Sequence, residues 1–170
     1  MSTSNRNPET SYISTNHASP LHQIQEWFTK AVPFPTEENC HAQIGVHLEE
    51  VAEMIAVLQK AGASQKVREE LQLALDVLNY LQRQIKSYKT GSQIILTELD
   101  RTALLDAMCD QIVTSIGVAH MLDLAILPGL KEVADSNDSK FDRDGNPVFD
   151  QQRKIIKGPD YFSPDLSKFV

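Results

Sequence analysis

Apolar residues recur along this chain in blocks with helical spacing, and the breaks between blocks are sharp. Leu21, Ile24, Trp27 and Phe28 share one face of a first predicted helix, "LHQIQEWFTKAV". The prolines of "PFPTEE" end it, and Thr36 can cap a second helix with Glu37 and Glu38 in its first turn. That helix is predicted from Glu37 to Ala61, with Ile44, Leu48, Val51, Ile55 and Leu58 as its apolar stripe and Gly62 as its stop. A third helix starts near Ser64 and ends before Gly91. Its stripe of Val67, Leu71, Ala74, Leu78, Leu81, Ile85 and Tyr88 alternates by four and three, the spacing of a packing seam. A fourth begins near Thr97, with Asp100 completing a near capping box, and carries Leu105, Met108, Ile112 and Ile116 toward Leu122. Pro128 suits the first turn of a short fifth helix that ends near Asn137.

The flanks differ in character. Residues 1–19 are rich in Ser, Thr, Asn and Pro and read as a flexible arm. After Ser139, "KFDRDGNPVFD" reads as a short hairpin turning at Asp144, Gly145 and Asn146, and "KGPDYFSPDL" as an irregular tail. The expected fold class is all-α: a helical bundle over residues 20–138 with an irregular or hairpin extension over 139–170, and no internal repeat.

Composition narrows what such a bundle does. At 170 residues and 41% hydrophobic content, one domain can bury a core. A net charge of -7 argues against sequence-independent binding to a nucleic-acid backbone, which needs a basic stripe. A single nucleotide stays open, since metal and a few lysines can meet its charge. No apolar run is expected to span a bilayer, and the N-terminus lacks the apolar core of a signal peptide, so the expected location is the cytoplasm. Cys40 and Cys109 lack metal-ligand spacing and read as free thiols, Cys109 as a buried small hydrophobe.

The acids are the informative residues. In "HLEEVAEM", Glu50 and Glu53 share a helix face roughly opposite the Ile44/Leu48/Val51 stripe, yet Val46 and Val57 flank them there. Like charges three apart cost about 0.2–0.5 kcal/mol on a bare helix, and more near apolar neighbours unless a cation compensates. Glu49 sits nearer the solvent side, within reach as an outer ligand or base. In "LLDAMCDQIV", Asp106 and Asp110 share a face among Leu105, Met108, Cys109, Ile112 and Val113. If the two helices pack face to face, four carboxylates converge, and hard oxygen ligands suit Mg²⁺ or Mn²⁺. Acids at helical spacing equally describe a solvated face, and spacing alone leaves both readings open. A carboxylate-bridged iron site needs two Glu-x-x-His pairs, whereas His47 precedes Glu50 and the fourth helix lacks such a pair. "DRDGN" lacks the third acid and closing Glu of a calcium loop. Packing roles are expected for Trp27, Phe28, His47 and His120.

"HLEEVAEMIAVL" followed by "DAMCDQIVTSIGVAHML" resembles the all-α nucleoside triphosphate pyrophosphohydrolases, the MazG-like superfamily. That family's pattern is Glu-Glu-x-x-Glu on one helix and Glu-x-x-Asp on a later one. Glu49, Glu50 and Glu53 match the first half without a gap, and Asp110 matches the terminal Asp. Ala107 stands where the family has Glu, with Asp106 as the substitute one residue earlier. "EVADSNDSKF", a Gly-Asn-Pro turn and "KIIKGPDYFSPDL" resemble a branch common in bacteriophages, called phosphoribosyl-ATP pyrophosphohydrolase-like, and within it an enzyme acting on dGTP and GTP. The resemblance covers about residues 21 to 166.

The resemblance implies cleavage of a nucleoside triphosphate between the α and β phosphates. It implies Glu50, Glu53, Asp106 and Asp110 as ligands of Mg²⁺ or Mn²⁺, and Glu49 or Glu50 as the catalytic carboxylate. It also implies Asn137, Lys140, Lys157 and Tyr161 as substrate contacts in the extension and the turn before it. By position alone, Lys140 and Lys157 also read as solvated loop lysines. A homodimer or homotetramer is expected, from the unbroken third-helix seam and from the family. Phosphoribosyl-ATP hydrolysis and a non-catalytic nucleotide-binding scaffold are the competing readings.

Overall fold

Local polar chemistry sets the helix ends. Thr36 accepts a hydrogen bond from the Asn39 N–H, and the Asn39 side chain accepts one from the Thr36 N–H, so two otherwise orphaned donors are satisfied at once. Thr97 and Asp100 make the same reciprocal pair. Ser64 caps a third start by accepting from the Val67 N–H. The helices are α1 (Pro20–Ala31), α2 (Glu37–Lys60), α3 (Gln65–Lys86), α4 (Glu98–Met121) and α5 (Ile126–Asp138). The computed structural model describes residues 19–61, 64–88, 94, 96–150 and 155–170. The arm expected over residues 1–19, apart from Ser19, and the stops expected at Gly62 and Gly91 lie outside the described residues. The expected hairpin reduces to isolated antiparallel bridges, Phe141 with Pro147 and Phe149 with Ile155. Its turn forms as expected, with the Gly145 N–H donating to the Asp142 carbonyl at 3.0 Å.

Two compact units result. One runs from Val32 to Leu122, and the other joins the segment ending at Ala31 to Asp123–Val170.

In the first unit, α2 and α3 pack as an antiparallel hairpin. The His41 ring lies edge-on to Tyr88 at 5.5 Å, and at the opposite end Gln59 donates to Gln72 at 2.8 Å. The seam is offset from the apolar stripes, of which Leu48, Ile55, Leu71, Leu78 and Ile85 are half-buried. Its most buried residues are His41, Gly45 and Ala52 on α2 and Leu75 and Gln82 on α3, while Leu58, Val67, Leu81 and Tyr88 stay exposed. The helices roll to bring small residues together because backbones then approach closely. A Cβ at Gly45 would lie 2.4 Å from the Lys86 Cγ and 3.0 Å from the Gln82 carbonyl oxygen.

In the second unit, α1 packs on α5. The Trp27 ring stacks on buried Phe141 at 5.7 Å, and its indole N–H donates to the Asn137 carbonyl at 2.8 Å. The Gln23 amide donates to Asp135 at 2.8 Å and to Asp138 at 2.7 Å. Lys131 donates to the same Asp135 carboxylate.

The Gln23 bond, followed by the Lys131 bond, holds the Asp135 carboxyl below its ordinary value of 3.8. A depressed carboxylate stabilises the fold above that ordinary value and loses its effect as pH falls through the lower folded value. Thermal melts should therefore show the gap in Tm between wild type and Gln23→Ala narrowing as pH drops below about 4. A gap that persists unchanged at pH 3 would contradict the charge-assisted bond.

Candidate active site

On α2, the roll set by the seam decides which acid faces what. At about 100° per residue, Glu49 lies one turn beyond Gly45 at the edge of the seam, and Glu50 falls nearly opposite it. Glu49 is accordingly half-buried against α3, where the Lys86 Nζ donates to its Oε2 at 2.6 Å. The solvent-side position expected for Glu49 is thus replaced by an ion pair across the hairpin. Glu50 and Glu53 are exposed, and among the described residues neither forms an ion pair.

The α4 acids have a different setting. Asp106 and Asp110 are exposed, and so are Leu105, Met108, Ile112, Val113 and Ile116 around them. Among the described residues no Cα of α4 comes within 8 Å of α2 or α3, so the condition on which the four carboxylates would converge, direct packing of the two helices, is not met within this chain. Cys109, expected to be buried, is exposed for the same reason. By length and composition α4 could also cross a membrane, with a mean hydropathy of 1.2 over its most apolar window, contrary to the expectation that no run is long enough. That window contains Asp106 and Asp110, and each aspartate at bilayer depth costs ~2.5–3.5 kcal/mol.

One side-chain bond joins the two acid helices. The His47 ring bonds the Gln111 side chain. His47 stands one turn before Glu50, and Gln111 is next to Asp110. The packing role expected for His47 is therefore a polar tie between exposed residues, and His120 is exposed at the end of α4.

Among the described residues, no three His, Cys, Asp or Glu side chains gather to hold an ion. The donor chemistry still fits Mg²⁺ or Mn²⁺. Magnesium is commonly held by one or two carboxylates, with water and substrate phosphates completing about six oxygens, and each helix supplies such a pair.

The expected substrate contacts form two side-chain couples in the other unit. Lys140 donates to the Asn137 Oδ1 at 2.7 Å and lies 5.9 Å from the Trp27 ring centre. Lys157 sits over the Tyr161 ring at 4.3 Å. The Tyr161 hydroxyl lies below its ordinary pKa, chiefly through its hydrogen bond with Ser163 and further through the Lys157 charge. The chain after α5 is tied back where the buried Ser136 hydroxyl donates to the Phe162 carbonyl at 2.8 Å. Gly158 helps by passing so close to the Phe141 carbonyl oxygen that a Cβ would stand 2.3 Å from it.

Sequence reasoning passed over Lys86, Gln82 and the His47–Gln111 bond. A signal for the first existed. A glycine inside a helix costs about 1 kcal/mol, so Gly45 marks a place where something must pack closely.

Trp27 is the sole tryptophan of the chain and reports on this second cluster. Phe141→Ala should shift its emission to the red and cost ~3–5 kcal/mol, read by denaturant titration. Unchanged emission would mean that the stacked pair does not persist in solution.

No family model matches the chain, and no curated protein matches it. Among solved structures it is similar to one from Exiguobacterium sp. 255-15 named "putative NTP pyrophosphohydrolase". The TM-score is 0.57 at 16% identity, covering 86% of this chain and 89% of that one. The chain shares the all-α fold of that structure.

Proposed function

We propose that this chain is a metal-dependent nucleotide pyrophosphohydrolase. It cleaves a (deoxy)nucleoside triphosphate between the α and β phosphates to the monophosphate and pyrophosphate. The observation that carries this reading is that two acid pairs, Glu50/Glu53 on α2 and Asp106/Asp110 on α4, stand on helices whose side chains touch at His47 and Gln111 beside them. The shared fold and the sequence resemblance support it.

Glu50 and Glu53 on α2, with Asp106 and Asp110 on α4, would hold Mg²⁺ or Mn²⁺. A divalent ion there supplies neutralisation of the triphosphate and a lowered pKa for a bound water. Glu50 is the candidate acceptor for the proton of the attacking water, with Glu49 beside it. Fixed carboxylates and cations lower the barrier mainly by positioning and electrostatics, since phosphoryl transfer asks little covalent chemistry of the protein. Lys140 and Lys157 are the proposed phosphate cations, Asn137 a hydrogen-bond donor and Tyr161 a base-stacking ring. In the finer reading, the substrate is dGTP or GTP and the setting is phage nucleotide metabolism in the host cytoplasm.

A second copy of this chain is the proposed cover for α4, giving a homodimer or homotetramer. A helix that leaves Leu105, Met108, Ile112, Val113 and Ile116 in water calls for a cover. Sedimentation at assay concentrations should show a dimer or larger species, and a monomer would refute the assembly.

A panel of nucleoside triphosphates with Mg²⁺ or Mn²⁺, read as kcat/KM for pyrophosphate release, tests the activity. Release from none of them would refute it, and a best substrate without guanine would refute the finer reading. Glu53→Ala should cost about a hundredfold or more in rate. The same change should leave thermal stability unchanged or slightly higher, because a like charge is removed. Full activity in Glu53→Ala would point to a non-catalytic scaffold.

A further inference from the structure

Lys86 is held in place before it meets any acid. Its stem lies in the space that a side chain at Gly45 would fill, with Cγ 2.4 Å and Cε 3.2 Å from that Cβ position. Its ammonium group donates to the Gln82 Oε1 at 2.9 Å and to the Glu49 Oε2 at 2.6 Å. Gln82 is itself only 8% exposed, and its amide donates to the Asn79 Oδ1 at 3.3 Å. An exposed ion pair is weak largely because two long side chains must be ordered to form it. Here the lysine is ordered already, and the side chains are 29% exposed for Lys86 and 42% for Glu49.

Glu49, Glu50 and Glu53 lie within five residues, and Glu49 and Glu53 are neighbours four apart on the helix. Left alone, three carboxylates so close compete for any cation that approaches. We infer that Lys86 is a positioning residue that draws Glu49 toward α3, so that Glu50 and Glu53 alone form the metal-facing pair on α2. This rests on the metal site of the proposed function. Gly45 is part of the same device, since any side chain there would displace the lysine stem.

The test is Mn²⁺ binding to the nucleotide-free protein, followed by the spin-resonance signal of free Mn²⁺. Lys86→Met frees Glu49 to join the ligands, and Mn²⁺ should bind about tenfold more tightly, the scale on which neighbours of a metal site act. In a Glu49→Gln background the same change should shift the Kd less than about twofold, because the effect runs through Glu49. Lys86→Arg should restore the wild-type Kd. Circular dichroism melts establish that each variant is folded. A merely structural ion pair would lower Tm and leave the Kd alone. Equal tightening with and without Glu49 would mean loss of a distant positive charge, and either result overturns the assignment. Turnover separates the two proposals. If Mn²⁺ behaves as stated but no nucleotide is hydrolysed, the positioning role stands and the enzymatic reading falls. If nucleotides are hydrolysed, Lys86→Met should lower kcat with KM unchanged, and an unaltered Mn²⁺ Kd overturns the positioning role alone. Wild type that binds no Mn²⁺ overturns both.

Discussion

The close approach of α2 and α3 at Gly45 governs where the acids Glu49, Glu50 and Glu53 stand relative to the hairpin contact. The Lys86 stem and the Gln82 carbonyl crowd the space of a Cβ there, so a side chain at that position would push the lysine stem out of the contact. Ala52 continues the narrow side of the contact, and His41 fills its end against Tyr88 at 1% exposure. With that strip turned inward, Glu50 and Glu53 face away from α3 and Glu49 lands on the border. A different roll would bury one acid of the pair, and a buried unpaired carboxylate is strongly penalised.

Positive charge is unevenly assigned across the molecule. Lys86 is engaged by Glu49, Lys131 by Asp135, Arg143 by Asp160 and Lys168 by Glu132. The acid pairs Glu50/Glu53 and Asp106/Asp110 take none of these cations. In a chain of net charge -7, they keep their mutual repulsion and remain open to a cation from outside. Among the described residues their helices touch through the side chains of His47 and Gln111, and no cation stands between the two pairs.

How much of this the amino acids announce depends on how local the cause is. Helix ends were legible because a cap is settled within four residues, as Thr97 with Asp100 shows. The all-α class followed from the same blocks. The roll of the hairpin was not legible, because its most buried residues are His41, Gly45, Ala52, Leu75 and Gln82, a mixed set that does not read as an apolar stripe. The shared face of Glu50 and Glu53 could be read from spacing, whereas the partner of Glu49 could not, since Lys86 stands on another helix. The surroundings of α4 were misread because apolar letters say that a surface wants cover and not which surface provides it. In the tail, the residue types of Lys140 and Lys157 were visible, but their couples with Asn137 and Tyr161 depend on how the chain doubles back.

The unit built around Trp27 and Phe141 draws on two stretches of chain separated by more than ninety residues, Val32 to Leu122. The α2–α3 hairpin needs only contacts between neighbours in sequence, so it can form early in synthesis. α1 emerges well before α5 and must wait for it and the segment after it before its tryptophan has anything to stack on. During that wait Trp27, Phe28 and Ile24 face water together on one helix. This unit therefore closes only after the intervening hairpin has been made, and its waiting apolar face is a place where chaperone dependence or aggregation during translation would begin.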